Sequence, residues 1–549
     1  MKGVQIITMK KDKYLMPCRV VTSANTDCAD NLLIEKSMQV GFKSIDCTTI
    51  HEGGYVLLDF GCEISGGIAI TVRETNIQRP DYAKCRIVFG ESVMEALSTL
   101  EVKNATNAHS PRDEIITVGN MGTTYFGRTG FRFVKIESVN GDITVKTIRA
   151  ETDIKDIEYK GSFKSSDELL NKIWQVGAHT VHLNMHDYIW DGVKRDRLVW
   201  MGDTNPEIAT IKAVFGYDDC IPNSLDFVKA EYLPSEWMNT FPSYSMWWII
   251  NHYDWYMQNG DVEYLKAQAD YIAELVENII AWVKSDDNPE REKFVDWSSA
   301  AVRPEALIGV YAVAYKSLVA AKYILTISGN KAGAERCDCG MEYIRGLNIA
   351  VPNQKQIAGL CVYSGLSDAK EVNDNVLSKN PLSGLSTFIG YYVLLARAEA
   401  GDYEGALNII RNYWGAMIKL GATTFWEDFD MDWVENSAGI DVITPEGMND
   451  IHGDFGKYCY TQFRHSLCHG WASGPTAFLS AKIGGIEILE PGCRKVRVNP
   501  VLADLDWVEI EYPTPYGAIK VSAHKENGET KVEISAPKEV EIITENPKK

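Results

Sequence analysis

The pattern of apolar and polar positions divides the chain into three stretches. From the start to about residue 155, apolar positions alternate with polar ones and are broken by glycine, as in "GGYVLLDFGCEISGGIAITVRE", "CRIVFGESV" and "GFRFVKIESVNGDITVKTIRAE". Alternation with period two, β-branched residues and frequent turn signals predict antiparallel strands packed as a sandwich. At "SSDELLNKIWQVGAHTVHLNMHDY" the period becomes helical, with Ser165 or Ser166 as the expected N-cap and Leu169, Leu170, Ile173 and Val176 on one face. Helical patterns continue to about residue 482, in segments such as "MWWIINHYDWYMQ", "VEYLKAQADYIAELVENIIAWVKS" and "PEALIGVYAVAYKSLVAAKYILTIS". Roughly ten to twelve amphipathic helices with short connections predict one large all-α domain built from helix hairpins. Strands then return in "KVRVNP" and "DWVEIEYPTPYGAIKVSAHKENGETKVEISAP", with "NGE" as a hairpin turn. The expected domains are an N-terminal β-sandwich over 1–158, a helical domain over 159–482 and a small β domain over 483–549.

Composition narrows the function classes. A chain of 549 residues has room for roughly two to four domains. Its 75 acidic and 55 basic side chains give a formal net charge of −20, which repels phosphate backbones and anionic membrane surfaces. Neither nucleic acid nor a membrane is therefore an expected partner. No segment approaches the roughly 18 apolar residues of a membrane span, and "MKGVQIITMKKDKYLMPCRVV" has no signal-peptide core, so a cytoplasmic chain is expected. The 12 cysteines are scattered, with Cys337 and Cys339 as the one C-x-C pair, and read as free thiols rather than a zinc site or a disulfide framework.

Thirteen of the 14 tryptophans fall between residues 174 and 471, which turns attention to the helical domain. Indole rings beside carboxylates and guanidinium groups suit sugars, whose C–H faces stack on aromatic planes while their hydroxyls take hydrogen bonds. Trp200, Trp255, Trp297 and Trp426 lie beside such polar groups and are candidates to line a sugar pocket. Glycoside hydrolysis further needs two carboxyl groups flanking the bond. "YIWDGVKRDRLVWMGDTN" supplies Asp191, Asp196 and Asp203, and "GATTFWEDFDMDW" supplies Glu427, Asp428, Asp430 and Asp432. His179, His182 and His186 share a helix face and read as part of an aromatic wall, because no carboxylate completes a metal-binding H-E-x-x-H pattern. His465 and His469, spaced one helical turn apart, are expected to bond substrate rather than metal. Phosphate loops, dinucleotide fingerprints and the G-x-S-x-G nucleophile elbow do not occur.

These motifs together resemble family 78 of the glycoside hydrolases, the α-L-rhamnosidases. "DGVKRDRLVWMGD" is similar to the family's D-C-P-x-R-(D)-E-R-x-x-W-x-G-D signature, "GATTFWEDFD" to its T-T-x-W-E segment, "SLCHGW" to its S-x-N-H segment and "PTPYGAIKV" to its C-terminal sandwich. The resemblance implies a multidomain α and β chain: a central (α/α)6 barrel flanked by an N-terminal antiparallel β-sandwich and a small C-terminal β-sandwich. It also implies an inverting exo-glycosidase removing terminal α-L-rhamnosyl residues, with no cofactor and no metal ion. Asp196 takes the place of the general acid and Glu427 that of the general base, while Asp191, Arg195, Trp200, Asp203 and His469 hold or line the sugar.

The chain departs from the family pattern at several points. Asp196 stands where Glu is common, Gly192 and Val193 replace Cys-Pro, Cys468 replaces Asn, and the link from Glu427 to His469 is long, which implies reshaped aglycone subsites. Asp196 lies between Arg195 and Arg197, and a guanidinium contact would hold it ionised, so both arginines are expected to point elsewhere. The partner is a carbohydrate, and two rivals stay open: a hydrolase for another deoxy or uronic sugar on the same scaffold, and a non-catalytic glycan-binding protein. Whether the N-terminal β domain covers the barrel or pairs subunits in a homodimer is left open by the residues.

Overall fold

The computed structural model of the chain describes residues 14–78, 80–285, 293–297 and 303–544. The expectation about the first residues therefore lies largely outside the described ones. The N-terminal domain is an antiparallel sheet of seven strands, and its backbone is one long ribbon. Strand Thr48–Thr75 pairs with Gly122–Asn140 along most of its length, bending at irregularities between Asp59 and Ile64 and between Gly66 and Ile68. A β-bulge bends a strand, so the ribbon crosses from one layer of the sandwich to the other. Gly66 permits this, with φ of 156° and a Cβ position only 2.1 Å from the Glu151 carbonyl oxygen. Leu58, Phe60, Ile64, Ile70, Phe131 and Ile136 fill the space between the layers, each such burial contributing about 1.5–3 kcal/mol.

The helical domain begins at Glu168–Asn184, capped by Asp167 rather than by either serine. The Asp167 carboxylate accepts the N–H groups of Leu169 and Leu170, whereas the Ser165 hydroxyl is engaged with Asn171. Helices then alternate between an outer and an inner layer. Six inner helices, Thr204–Val214, Pro242–Asn259, Arg303–Ile327, Lys355–Ser364, Gly390–Glu399 and Gly474–Phe478, pack side to side in a closed ring. This is the (α/α)6 barrel. Connections from an inner to the next outer helix are short, as at residues 328–330 and 400–402, while several outer-to-inner connections are long, at 185–203 and 420–473 above all. One mouth of the barrel is thus built of long loops and of the N-terminal ends of the inner helices, where free N–H groups and the helix dipoles favour negative charge.

One expectation about membranes needs correction. The inner helix segment Glu305–Ile327 is long and apolar enough to cross a bilayer, but 67% of its apolar window is buried in the barrel, where it packs on the helices Pro242–Asn259, Ala269–Val283, Lys331–Gly346 and Lys355–Ser364. An inner barrel helix is surrounded by protein, so its sequence lacks the polar stripe of a surface helix.

The C-terminal domain has a three-stranded and a four-stranded sheet, and the turn Asn527–Gly528 has φ values of 53° and 84°, as a two-residue hairpin requires. Its four-stranded sheet recruits Ser162–Ser165, the strand that precedes the barrel, against Trp507–Thr514. The C-terminal sheet therefore includes residues on both sides of the helical domain in sequence. All twelve cysteines are free thiols.

Candidate active site

The loop 185–203 enters the mouth of the barrel along a short path tied to the second long loop. Gly192 bridges to His469, and the Gly470 N–H donates to the Asp191 carbonyl at 2.8 Å. Asp196 and Arg197 both have positive φ, 60° and 54°, a costly backbone that the surrounding contacts hold in place. Two such residues in succession turn the chain sharply and bring the short Asp196 side chain inward.

Arg195 does not point away, as the sequence reading expects. Its guanidinium donates to Glu427 Oε1 and to Asp196 Oδ2, the latter at 3.3 Å. Two carboxyl groups brought together from loops far apart in sequence are bridged by one cation, whose fork of N–H groups reaches both. Arg197 does turn aside: its Nε donates to the Val193 carbonyl at 2.8 Å, and its guanidinium lies 5.2 Å from the Trp190 ring centre.

Glu427 is buried and held on every side. Its Oε2 accepts the Ser466 N–H at 3.1 Å, its backbone N–H donates to the Ser466 carbonyl, and its own carbonyl accepts from Thr387 Oγ1 and Trp471 Nε1. His469 stands at the centre of the floor. Its Nε2 is 3.5 Å from Glu427, 3.7 Å from Asp191 and 3.9 Å from Asp203. These separations are longer than hydrogen bonds, so the four groups converge on a shared space instead of consuming one another. Burial, then repulsion from Asp196, pushes the Asp191 carboxyl well above its ordinary pKa; burial and Asp191 do the same to Asp203. Burial, then Arg195, pushes His469 far below its usual value, leaving a neutral imidazole. The carboxyl oxygens and the imidazole together offer the acceptors and the donor that recognition of hydroxyls requires.

Along one side runs an aromatic wall that begins near Asp203. Tyr244 Oη donates to Asp203 at 3.2 Å, Trp200 meets the Tyr244 ring edge-on, Phe241 stacks on Phe294 at 4.1 Å, and Trp297, 41% exposed, closes the row against Phe294. Trp200 and Trp297 thus border the same wall.

Other sequence candidates do not reach the site. Trp255 lies eleven residues beyond Tyr244 in one helix, about 16 Å along its axis, buried against Tyr217 at the far end of the barrel. Trp426 is 1% exposed and packs edge-on to Phe429, so it supports Glu427 from below and offers no open face for stacking. His465 lies in irregular chain, not on a helical turn shared with His469, and its Nε2 accepts the Asp428 N–H at 2.9 Å. Asp430 pairs with Lys457. His179 and His182 bond the backbone carbonyls of Glu63 and Lys155, and His186 stacks on Trp190, so the three imidazoles fasten the helix to its surroundings without forming a common metal site.

The N-terminal domain supplies residues that sequence reasoning missed. His109 places Nε2 3.3 Å from Asp196 Oδ1. Glu91 Oε2 accepts the Leu467 N–H at 2.7 Å, next to the Ser466 that holds Glu427. Glu91 and Glu95 with His452 could together ligate a cation, but the Lys194 ammonium lies 3.2 and 3.0 Å from the two carboxylates and neutralises them instead. Burial alone would raise Glu95; Lys194 and Arg112 outweigh it and hold that carboxyl at about 2. The long link after Glu427 is clamped to the same domain: Val93 N–H donates to the Ile440 carbonyl, Lys103 pairs with Asp454, and Asn104 bonds Thr461 and Gln462. Tyr460, carried on that link, faces the Arg195 guanidinium at 5.7 Å. The β domain therefore covers the barrel mouth.

A ring of six inner helices with carboxyl groups gathered at its mouth defines an (α/α)6 barrel. Residues 158–336 match the bacterial alpha-L-rhamnosidase 6 hairpin glycosidase domain, and residues 485–545 the bacterial alpha-L-rhamnosidase C-terminal domain. Both family models are named for bacterial alpha-L-rhamnosidases, which this chain resembles over those residues. It is 21% identical over 542 residues to an alpha-L-rhamnosidase of Formosa agariphila, a match covering 88% of this chain and 54% of that protein. Its fold is similar to that of a family 78 rhamnosidase of Bacillus sp. GL1, with a TM-score of 0.77 and 19% identity over 94% of this chain and 55% of the other. It also resembles a Klebsiella oxytoca rhamnosidase with rhamnose bound, at a TM-score of 0.67 and 18% identity, covering 85% and 94% of the two chains. The chain thus spans about half the length of the curated relative it matches.

Proposed function

We propose that this chain is an inverting exo-α-L-rhamnosidase in which Asp196 is the general acid and Glu427 the general base. The observation that carries this reading is the Arg195 fork between two carboxylates at the barrel mouth, beside the Asp191, Asp203 and His469 floor. Glycoside hydrolysis by inversion needs one carboxyl group to protonate the leaving oxygen and one carboxylate to take a proton from water on the opposite face. Arg195 ties the two carboxyl groups together, Glu427 is held further by the Ser466 N–H deep in the site, and Asp196 stays partly open at the rim beside His109, which suits Glu427 to hold the attacking water and Asp196 to meet the leaving oxygen.

Asp191, Asp203 and His469 are suited to the ring hydroxyls, and the Trp200–Tyr244 wall to a sugar whose C6 is a methyl group. Rhamnose bound to the Klebsiella oxytoca relative agrees with this substrate class. The reaction balances with water and these two carboxyl groups alone, so it calls for no cofactor. Proton NMR of p-nitrophenyl α-L-rhamnoside during turnover tests the proposal. First appearance of β-L-rhamnose supports it; first appearance of the α anomer removes inversion, and no cleavage of any rhamnoside removes the substrate assignment.

A further inference from the structure

The N-terminal domain places one titratable side chain directly on the candidate acid. His109 lies in the segment between the short helix Val93–Leu97 and the strand Asp113–Val118. Asn107 Oδ1 accepts the Arg112 and Asp113 N–H groups, and Ser110 Oγ donates to the Arg128 carbonyl, so the turn carrying His109 is fixed on both sides. The preceding residues are tied to the link that follows Glu427: Lys103 Nζ is 2.5 Å from Asp454, and Asn104 donates to Thr461 Oγ1 and Gln462 Oε1. Such anchoring places a ring reproducibly, and the ring stays 28% exposed at the rim while its Nε2 meets Asp196 Oδ1.

We propose that His109 is the positioning residue that holds Asp196 and returns a proton to it after each turnover. This rests on the reading of Asp196 as general acid. A half-buried acid beside Arg195 must regain a proton in every cycle, and Asp191, a buried carboxyl group on the same loop, is turned to the Leu198 N–H. His109 offers the route. Asp196 gives its proton to the glycosidic oxygen as the bond from C1 to that oxygen breaks, while Glu427 takes a proton from the attacking water as the new bond forms. Glu427 then loses its proton to solvent. The exposed ring first takes a proton from solvent to become imidazolium and then gives its Nε2 proton to Asp196, which returns the ring to neutral, so the protons balance.

The groups facing His109 are Asp196 and Arg195 from the loop 185–203, Arg464 from the link, and Glu427 beyond them. Burial pushes the imidazole below its ordinary pKa; Asp196 opposes this, Arg195 and Arg464 reinforce it, and Glu427 opposes it. The neutral ring that results can accept a proton from solvent and pass it on.

The test is the pH dependence of kcat for wild type, His109→Ala and His109→Gln on an alkyl α-L-rhamnoside, whose poor leaving group makes protonation limiting. The expected result is a kcat lowered about tenfold to a hundredfold with little change in KM, an alkaline limb displaced in both variants, and partial recovery of His109→Ala with added imidazole. A profile unchanged from wild type, or a loss confined to KM, overturns the proposal. An activity-independent arm follows the His109 ring resonances by NMR in wild type and Asp196→Asn. A lower titration midpoint in Asp196→Asn supports the pair, and an unchanged midpoint overturns it. Failure of wild type on every rhamnoside would instead remove the substrate reading, with the NMR arm still deciding the pair.

Discussion

The Arg195 guanidinium touches Glu427 Oε1 with one nitrogen and Asp196 Oδ2, at 3.3 Å, with the other. One side chain thereby ties together two carboxyl groups from separate loops. Lys has a single compact ammonium and cannot span the two. Arg195→Lys is expected to lower kcat about a hundredfold to a thousandfold, comparable to removal of a charge-stabilising donor from an active site, with a stably folded protein by thermal melt. Activity within threefold of wild type would show that the bridge is dispensable.

The Tyr244 hydroxyl donates to Asp203 at 3.2 Å and braces the first aromatic of the wall. Tyr244→Phe removes that bond and keeps the ring, at a cost of about 1 kcal/mol. Steady-state kinetics should show KM raised about fivefold and kcat changed less, because Asp203 is assigned to binding a hydroxyl.

Glu207 is fully buried, and neither carboxylate oxygen finds a hydrogen-bond donor among the described residues. Gly470 makes room for it, since a Cβ there would stand 1.7 Å from Glu207 Oε1. Burial, then Asp203 and Asp191, pushes its pKa well above the ordinary range. The folded state thus binds a proton that the unfolded chain releases above its own carboxylate pKa. This contribution is fully present at low pH and is lost as pH rises towards the folded pKa. Glu207→Gln, which keeps the shape without the ionisable proton, should melt higher than wild type at pH 7 and at the same temperature as wild type near pH 4. A wild-type advantage at pH 7 would show that the carboxyl group has a charged role.

Lys194 is buried between Glu91 and Glu95 and donates to the carbonyls of Phe463 and His465. Removing one member leaves an uncompensated buried charge. Lys194→Ala should therefore lower stability by about 3–5 kcal/mol in denaturant melts, and Lys194→Ala with Glu91→Gln should recover part of it. Additive losses in the double variant would show that the charges are not coupled.

Much of this site is legible in the sequence because it lies in two continuous loops. Asp191, Asp196 and Asp203 share one loop, and Glu427 and His469 bracket another, so their residue types and order are visible together. The direction of a long side chain is not: Arg195 and Arg197 look alike in sequence, and only packing sends one to the carboxylates and the other to Trp190. Tryptophans mislead for a related reason. Trp255 and Trp200 both sit beside acidic residues, but one is an inner helix's core residue at the far end and the other a rim residue. His109 and Glu91 belong to another domain and join the site only through docking, for which a local pattern carries no signal.

The most direct measurement of the central claim compares kcat of Asp196→Asn and Glu427→Gln with wild type on two α-L-rhamnosides, one with a p-nitrophenyl and one with an alkyl leaving group. p-Nitrophenolate leaves with little help from an acid, whereas an alkoxide does not. The expected result is that Glu427→Gln loses about a thousandfold or more on both substrates, while Asp196→Asn loses as much on the alkyl rhamnoside and far less on the aryl one. Equal, small losses for both variants on both substrates would contradict the assignment of Asp196 as acid and Glu427 as base.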